Sequence, residues 1–139
     1  MSFPKFEDVY PRSPAFLGLP RLRIPSGWTI GWNTLDESMA TDLSGIGGSS
    51  VFNATNHGRR FNVDVEFRPE FDVEGAFHLI VVYQPWPRTE RGRRRKDVPF
   101  AFDGDAREVH RSETRSYAEL LGRLEYWIAR CSVWTIEGN

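Results

Sequence analysis

The sequence predicts an α+β fold: a mainly antiparallel sheet of about four to six strands, with a C-terminal amphipathic helix packed on one face. Several short segments between residues 27 and 111 alternate apolar and polar residues with a period of two, which is typical of half-buried strands. A segment near the end of the chain repeats apolar residues with the period of a helix. The chain has 139 residues, so we expect a single domain over residues 1–139.

Prolines recur through the first twenty residues, at positions 4, 11, 14 and 20. Each proline removes a backbone donor and fixes φ, so we expect residues 1–20 to form an extended arm. This arm contains no apolar run of signal-peptide length, and no segment approaches the roughly 18 apolar residues of a membrane span. The single cysteine, Cys131, excludes an intrachain disulfide. These features predict a cytoplasmic protein without a membrane partner.

We expect strands at residues 21–24, 27–32, 60–68, 77–84, 98–102 and 106–111. Residues 60–68 give the clearest signal, because Phe or Val stands at every second position from Phe61 onward. Residues 77–84 are apolar on both faces, which predicts a central strand covered on both sides. Residues 36–58 have a turn-forming composition, in which only Val51 and Phe52 indicate a strand.

Residues 116–131 give the clearest helix signal. Ser116 and Glu119 have the spacing of a capping box, and an apolar stripe follows them. The stripe consists of Leu120, Leu121, Leu124, Trp127, Ile128 and Cys131. Each large residue of the stripe stabilises the fold by about 1.5–3 kcal/mol if it is buried. We therefore expect the docking of this helix on the sheet to be a main source of stability.

Acidic residues concentrate on and just after the strand predicted at residues 60–68. They are Asp64, Glu66, Glu70, Asp72 and Glu74. Paired carboxylates perform acid–base chemistry when an apolar pocket raises the pKa of one of them, and we expect these side chains to be solvated instead. A plain solvated strand face and an anionic docking surface for a basic partner both fit the pattern. We predict the docking surface, with Trp86 as a buried aromatic anchor of the complex.

Residues 88–96 hold six of the 18 basic residues and one acidic residue. Their net charge is +5, which leaves −6 for the rest of the chain. Arg93, Arg94 and Arg95 stand in the middle of this run, and such side chains can contact nucleic-acid phosphates. No aromatic residue interleaves them, and an acidic body repels a nucleic acid. We expect a solvated hairpin tip that contributes these three arginines to partner binding, with a nucleic-acid-binding module as the alternative.

The sequence contains no self-contained catalytic or metal-binding motif. His57, His78 and His110 lack the spacing of a zinc site, and the glycine-rich residues 45–50 lack the lysine of a nucleotide-binding loop. We therefore expect no catalytic residue, no metal and no cofactor, and we predict that the chain is not an enzyme. A small enzyme of unknown reaction stays an alternative, which requires carboxylates and a histidine to meet in one pocket.

Residues 19–28 read Leu-Pro-Arg-Leu-Arg-Ile-Pro-Ser-Gly-Trp, and Trp32-Asn33 follow. This opening resembles that of a group of small bacterial proteins found among polymorphic-toxin immunity proteins. The ending is similar too, since Arg115-Ser116-Tyr117 leads into an amphipathic helix. The resemblance covers the two ends of the chain and not its middle. It implies a cytosolic, non-enzymatic α+β protein that binds and neutralises a cognate bacterial toxin, and it supplies no catalytic residues. The leading prediction is therefore an immunity-like protein whose partner is a toxin domain.

Overall fold

A computed structural model describes residues 20–47 and 50–136 of the chain. Its elements are strand β1 (Trp28–Asn33), a 3₁₀ helix (Glu37–Ala40), strands β2 (Ser50–Asn56), β3 (Phe61–Arg68), β4 (Ala76–Tyr83) and β5 (Arg107–Thr114), and helix α1 (Tyr117–Val133). The strands form one sheet in chain order, and every neighbouring pair is antiparallel. The predicted α+β fold is confirmed. The arm expected at residues 1–20 lies outside the described residues, except for Pro20.

Helix α1 packs on one face of the sheet, where the alternating apolar residues of the strands point. Phe or Val is fully buried at every second position of β3, and the buried residues of β4 run from Phe77 to Tyr83. Neighbouring strands bring these positions together, so that Val63 lies opposite Val81 and Val65 opposite Leu79. The period-two pattern of the sequence thus becomes one continuous apolar layer beneath the helix.

Helix α1 begins at its predicted cap. The Ser116 hydroxyl accepts from the backbone N–H of Glu119 at 3.2 Å, which satisfies one of the free donors of the first turn. Glu119 also pairs with Arg123 on the solvent side. The core-facing stripe is buried at Leu120, Leu124, Ile128 and Cys131, and partly buried at Leu121 and Trp127. Burial raises the pKa of the Cys131 thiol to about 12, so this cysteine is an inert core residue.

Strand β2 corrects the expectation of a loop over residues 36–58. Its seven residues pair with both β1 and β3. Phe52 and Ala54 are buried on the helix side of the sheet, opposite Val65 and Val63 of β3, while Asn53 and Thr55 make side-chain hydrogen bonds on the opposite face. Pairing on both sides outweighs the turn preference of Asn53 and Asn56.

Two other strand predictions were wrong. Residues 21–24 form no strand, because the backbone N–H of Arg23 donates to the Glu125 carboxylate of α1 at 3.2 Å rather than to a neighbouring strand. Residues 98–102 also form no strand. The alternating Phe100 and Phe102 contact each other edge-on, with ring centroids 5.5 Å apart.

Strand β4 is buried on one face only, which corrects the prediction of a strand covered on both sides. Phe77, Leu79 and Val81 are buried under α1, whereas Ile80 and Val82 are only half-buried on the other face. The apolar strand β4 therefore lies next to the edge strand β5, and other elements cover only one of its two faces.

Candidate functional site

The sheet face away from α1, here called the open face, carries a hydrogen-bonded network centred on Asp64. One oxygen of its carboxylate, Oδ1, accepts from Ser50 Oγ at 2.7 Å and from Asn53 Nδ2 at 3.0 Å. The indole N–H of Trp32 donates to the same Ser50 hydroxyl at 3.0 Å, although the Trp32 side chain is 50% exposed. Strands β1, β2 and β3 each contribute to this network, so its geometry depends on their register.

Two asparagines extend the network across the open face. The side-chain amides of Asn53 and Asn62 donate to each other's carbonyl oxygens at 3.3 Å and 3.1 Å. Asn62 also donates to the Thr55 hydroxyl at 2.9 Å. Satisfied polar groups of this kind hold their rotamers, which makes the face around Asp64 a preorganised polar surface.

A row of ionisable side chains crosses the other half of the open face. Glu66 lies opposite His78, and His78 lies opposite Glu113. His78 Nε2 stands 3.7 Å from the Glu113 carboxylate, which is beyond hydrogen-bond distance, and the Glu113 side chain is 69% exposed. Glu66 pairs with the exposed Arg68 on its own strand. The row places carboxylates on both sides of an imidazole. The Glu66 and His78 side chains are partly buried, at 18% and 24% exposed, whereas Glu113 is open to solvent.

Residues 69–75, here called the acidic turn, join β3 to β4 and hold the other three predicted carboxylates. These are Glu70, Asp72 and Glu74. The turn is tightly built: Asp72 Oδ1 accepts from the backbone N–H of Glu74, and the Asp72 carbonyl accepts from Gly75, both at 2.8 Å. Arg115 donates to the carbonyl of Val73 at 2.5 Å and stands 3.8 Å from the Glu74 carboxylate. The five acidic residues predicted as one patch therefore divide between the open face and this turn.

The acidic turn also presents two apolar side chains to solvent. Phe71 is 67% exposed and Val73 is 55% exposed. The backbone N–H of Phe71 donates to the Ile46 carbonyl at 2.8 Å, and Phe71 has a φ of 55°, which bulky residues rarely adopt. Its ring rests directly on Gly47, where a Cβ atom would stand only 2.3 Å from the Cζ atom of the ring. The sequence analysis did not identify Phe71 as a functional residue. The available signal was its position between two acidic residues, Glu70 and Asp72, just after a predicted strand.

Trp86, predicted as an aromatic anchor, lies inside the protein with 7% of its surface exposed. It packs against Arg60, which is fully buried, and its ring centroid lies 5.2 Å from that of His57. Arg60 Nε donates to the Gln84 carbonyl at 3.0 Å, while its Nη1 has no hydrogen-bond partner among the described residues. Burial lowers the pKa of Arg60, and the nearby charges of Tyr83 and Asp103 act in the opposite direction.

Residues 88–96, here called the basic hairpin, are exposed at every position. Arg88 and Arg94 form an antiparallel bridge, and Gly92 at a φ of 82° closes the turn by donating to the Thr89 carbonyl at 2.8 Å. The expected hairpin tip is thus present, and it displays Arg93, Arg94 and Arg95 to solvent.

The acidic turn and the basic hairpin lie at opposite ends of the sheet. The acidic turn follows Arg68 and precedes Ala76, whereas the segment of the basic hairpin leaves β4 at Tyr83, which pairs with Phe61 at the other end of β3. Eight-residue strands are about 25 Å long. The acidic and basic residues that are segregated in the sequence are therefore also separated in space, along the direction of the strands.

Within residues 20–47 and 50–136, no cluster of three or more His, Cys, Asp or Glu side chains is arranged to hold a metal ion. No helix in this part of the chain is long and apolar enough to cross a lipid bilayer. The glycine-rich segment at 45–50 includes residues 48–49, which lie outside the described ranges. Comparison of the chain with protein-family models, with curated proteins and with solved structures found no match. The resemblance to immunity proteins stays a prediction.

Proposed function

We propose that this chain is an immunity-like protein that binds a cognate bacterial toxin domain stoichiometrically and neutralises it by occupying its surface. The acidic turn is the centre of the docking surface, and the adjoining carboxylates of the open face extend it. The observation that carries the proposal is the exposed Phe71 ring, which is fixed on Gly47 and stands between Glu70 and Asp72. The complementary partner is a toxin surface with an apolar pocket and a basic rim.

A rigid exposed aromatic ring contributes strongly to a protein interface, because it buries a large area at little cost in side-chain entropy. Phe71 meets this condition through the backbone hydrogen bond to Ile46 and the contact with Gly47. The tethers from Asp72 and Arg115 hold the rest of the acidic turn in one shape. Little ordering is therefore needed when a partner binds.

The carboxylates around Phe71 supply the electrostatic part of recognition. Residues 69–75 contain three acidic residues and no basic one. Exposed charges of this kind chiefly accelerate and orient association with a basic surface, while the apolar contact slows dissociation. The complex should thus show an association rate that falls with salt and a dissociation rate set mainly by Phe71.

The test first determines whether a gene next to that of this chain encodes a protein with a C-terminal toxin domain, and then titrates the activity of that domain with the purified chain. Stoichiometric neutralisation gives a breakpoint near one chain per toxin molecule, whereas an enzyme that inactivates the toxin gives a breakpoint far below that ratio. Phe71→Ala should weaken the complex by about 30-fold or more, the loss of a hot-spot residue. Tyr126→Ala, which removes an aromatic ring that is 57% exposed in the middle of α1, is the matched control and should change affinity by less than about threefold.

Two results would contradict the proposal. One is neutralisation at a small fraction of the toxin concentration, which would support the enzyme alternative. The other is the absence of a complex between the folded chain and that toxin domain at concentrations up to about 100 μM, since immunity by blocking requires far tighter binding.

A further inference from the structure

The basic hairpin is a defined scaffold rather than a loose loop. The backbone N–H of Thr89 donates to the Arg93 carbonyl at 2.9 Å, and that of Arg95 donates to the Pro87 carbonyl at 2.7 Å. Arg88 donates to the Gly92 carbonyl at 2.8 Å and so braces the tip from one side. Just before the hairpin, Trp86 is fixed against the buried Arg60. These backbone hydrogen bonds therefore fix the positions from which the basic side chains of the hairpin extend.

Most of these cations have no acidic partner in the described part of the chain. Arg95 stands 3.6 Å from Asp97, whereas no ion pair is formed there by Arg91, Arg93, Arg94 or Lys96. A shallow, open depression at the tip is lined by Thr89, Glu90, Arg91 and Arg93, so two guanidinium groups and one carboxylate lie around it. These four exposed cations, which form no ion pair in the described part of the chain, are available to an external anion.

Two arginines of the basic hairpin and two from other segments lie near Tyr83, the last residue of β4. Burial raises the pKa of the Tyr83 phenol, and four nearby guanidinium groups act in the opposite direction. They belong to Arg107, Arg94, Arg60 and Arg88. The guanidinium of Arg107, on β5, stands 5.2 Å from the Tyr83 ring centroid, so it lies beside the hairpin although it is distant in sequence. Arg60 is fully buried and Arg107 is exposed, so Arg107 is the residue that extends the positive surface from the hairpin to the sheet.

The acidic remainder of the chain does not cancel this surface. The acidic turn lies about 25 Å away along the strands, which is three times the Debye length of about 8 Å at physiological ionic strength. Residues 84–107, at the hairpin end, hold seven basic and four acidic residues. The repulsion that net charge predicts for an approaching polyanion is therefore screened, and the local field is positive.

We propose that the basic hairpin, together with Arg107, binds the phosphate backbone of a nucleic acid. A two-stranded β ribbon is narrow enough to enter the major groove of a duplex, and Arg and Lys at its tip and edges contact phosphates on either side. Phosphate neutralisation releases counterions and needs no base-specific contact, which suits a short hairpin without interleaved aromatics. This activity is independent of the acidic turn at the opposite end.

The test measures fluorescence anisotropy of a labelled duplex DNA of about 20 base pairs, and of one of its single strands, titrated with the full chain. At about 50 mM salt we expect binding in the micromolar range for at least one of the two, and tighter binding of one identifies the favoured form. With four uncompensated cations, a fourfold rise in salt should weaken binding by about 100-fold.

The decisive variant is the triple substitution Arg91→Ser, Arg93→Ser and Arg94→Ser. It should weaken binding by at least about 30-fold at low salt. The slope of the logarithm of the binding constant against the logarithm of the salt concentration should fall by the amount expected for about three lost phosphate contacts. The matched control removes the same net charge elsewhere, as Arg68→Ser, Arg111→Ser and Arg115→Ser, three exposed arginines that are already paired with carboxylates. It should stay within about threefold of the unmodified chain. Circular dichroism melting verifies that both variants are folded.

Three outcomes would overturn the assignment. They are no binding tighter than about 100 μM at low salt, equal losses in the hairpin variant and the control, and equal affinity for poly-glutamate of matched charge. The last result would indicate that the basic hairpin takes an acidic protein surface instead of a nucleic acid.

Discussion

The guanidinium carbon of Arg60 lies 4.3 Å from the centroid of the Trp86 ring, and 4.8 Å from that of Phe100. These contacts join the turn between β2 and β3 to the long segment between β4 and β5. A buried cation is costly unless hydrogen bonds and aromatic faces compensate it, and here one carbonyl and two rings do so. The geometry depends on the planar group of arginine, which stacks while donating from its edge.

Arg60→Lys is therefore expected to lower the free energy of unfolding by about 1–3 kcal/mol, since lysine loses the stack and the Nε bond to Gln84. Arg59→Lys is the control next door, because Arg59 is exposed and makes one hydrogen bond to Thr135. That change should stay within about 0.5 kcal/mol. Urea denaturation measures both, and equal losses would show that the stack contributes nothing specific.

Phe71 combines a strained backbone with an exposed ring, so stability and binding should respond differently to its replacement. Phe71→Gly relieves the positive φ, whereas Phe71→Ala keeps the strain and removes the same ring. The glycine variant should be about 1 kcal/mol more stable than the alanine variant, as measured by thermal or urea unfolding. Both should lose toxin affinity. An alanine variant as stable as the glycine variant would mean that the turn relaxes to an ordinary φ.

The Asp64 network should contribute to stability through the donors that it satisfies. Asp64→Ala removes the acceptor of one Asn53 donor and leaves the Ser50 hydroxyl only its longer 3.3 Å contact with the Phe52 carbonyl, which should cost about 1–3 kcal/mol. Glu108→Ala, which removes a carboxylate from the exposed pair with Arg111, should cost less than about 1 kcal/mol. Chemical denaturation measures the free energy of unfolding of both variants. A similarly small loss for both would indicate that water satisfies the donors that Asp64 leaves.

His110 should make stability depend on pH. Burial, assisted by the charge of Arg123 and opposed by Glu108, lowers the pKa of this imidazole below its usual 6.5. The unfolded chain therefore takes up a proton at a higher pH than the folded chain, so the contribution is complete above pH 6.5 and declines as the pH falls below it. The free energy of unfolding should fall more between pH 7 and 5.5 for the unmodified chain than for His110→Gln. Parallel curves would assign the acid sensitivity to other groups.

The sequence by itself determined the parts whose signal is local. Helix α1, strand β3 and the hairpin at residues 88–96 follow from periodicity, capping spacing and a run of like charges, each read within one segment. The fold class follows as well, since alternating strands and one amphipathic helix have few ways to bury their apolar sides.

Only the tertiary structure decided where these parts lie relative to one another. Strand β2 forms against its own composition because β1 and β3 pair with it on both sides. Phe71 is fixed by Gly47 and Ile46, and Trp86 is buried by Arg60, through contacts between segments distant in the chain. The separation of acidic turn from basic hairpin also depends on strand order and length. These contacts form between segments that are distant in the chain. The local periodicity of a single sequence does not indicate which distant segments pack together.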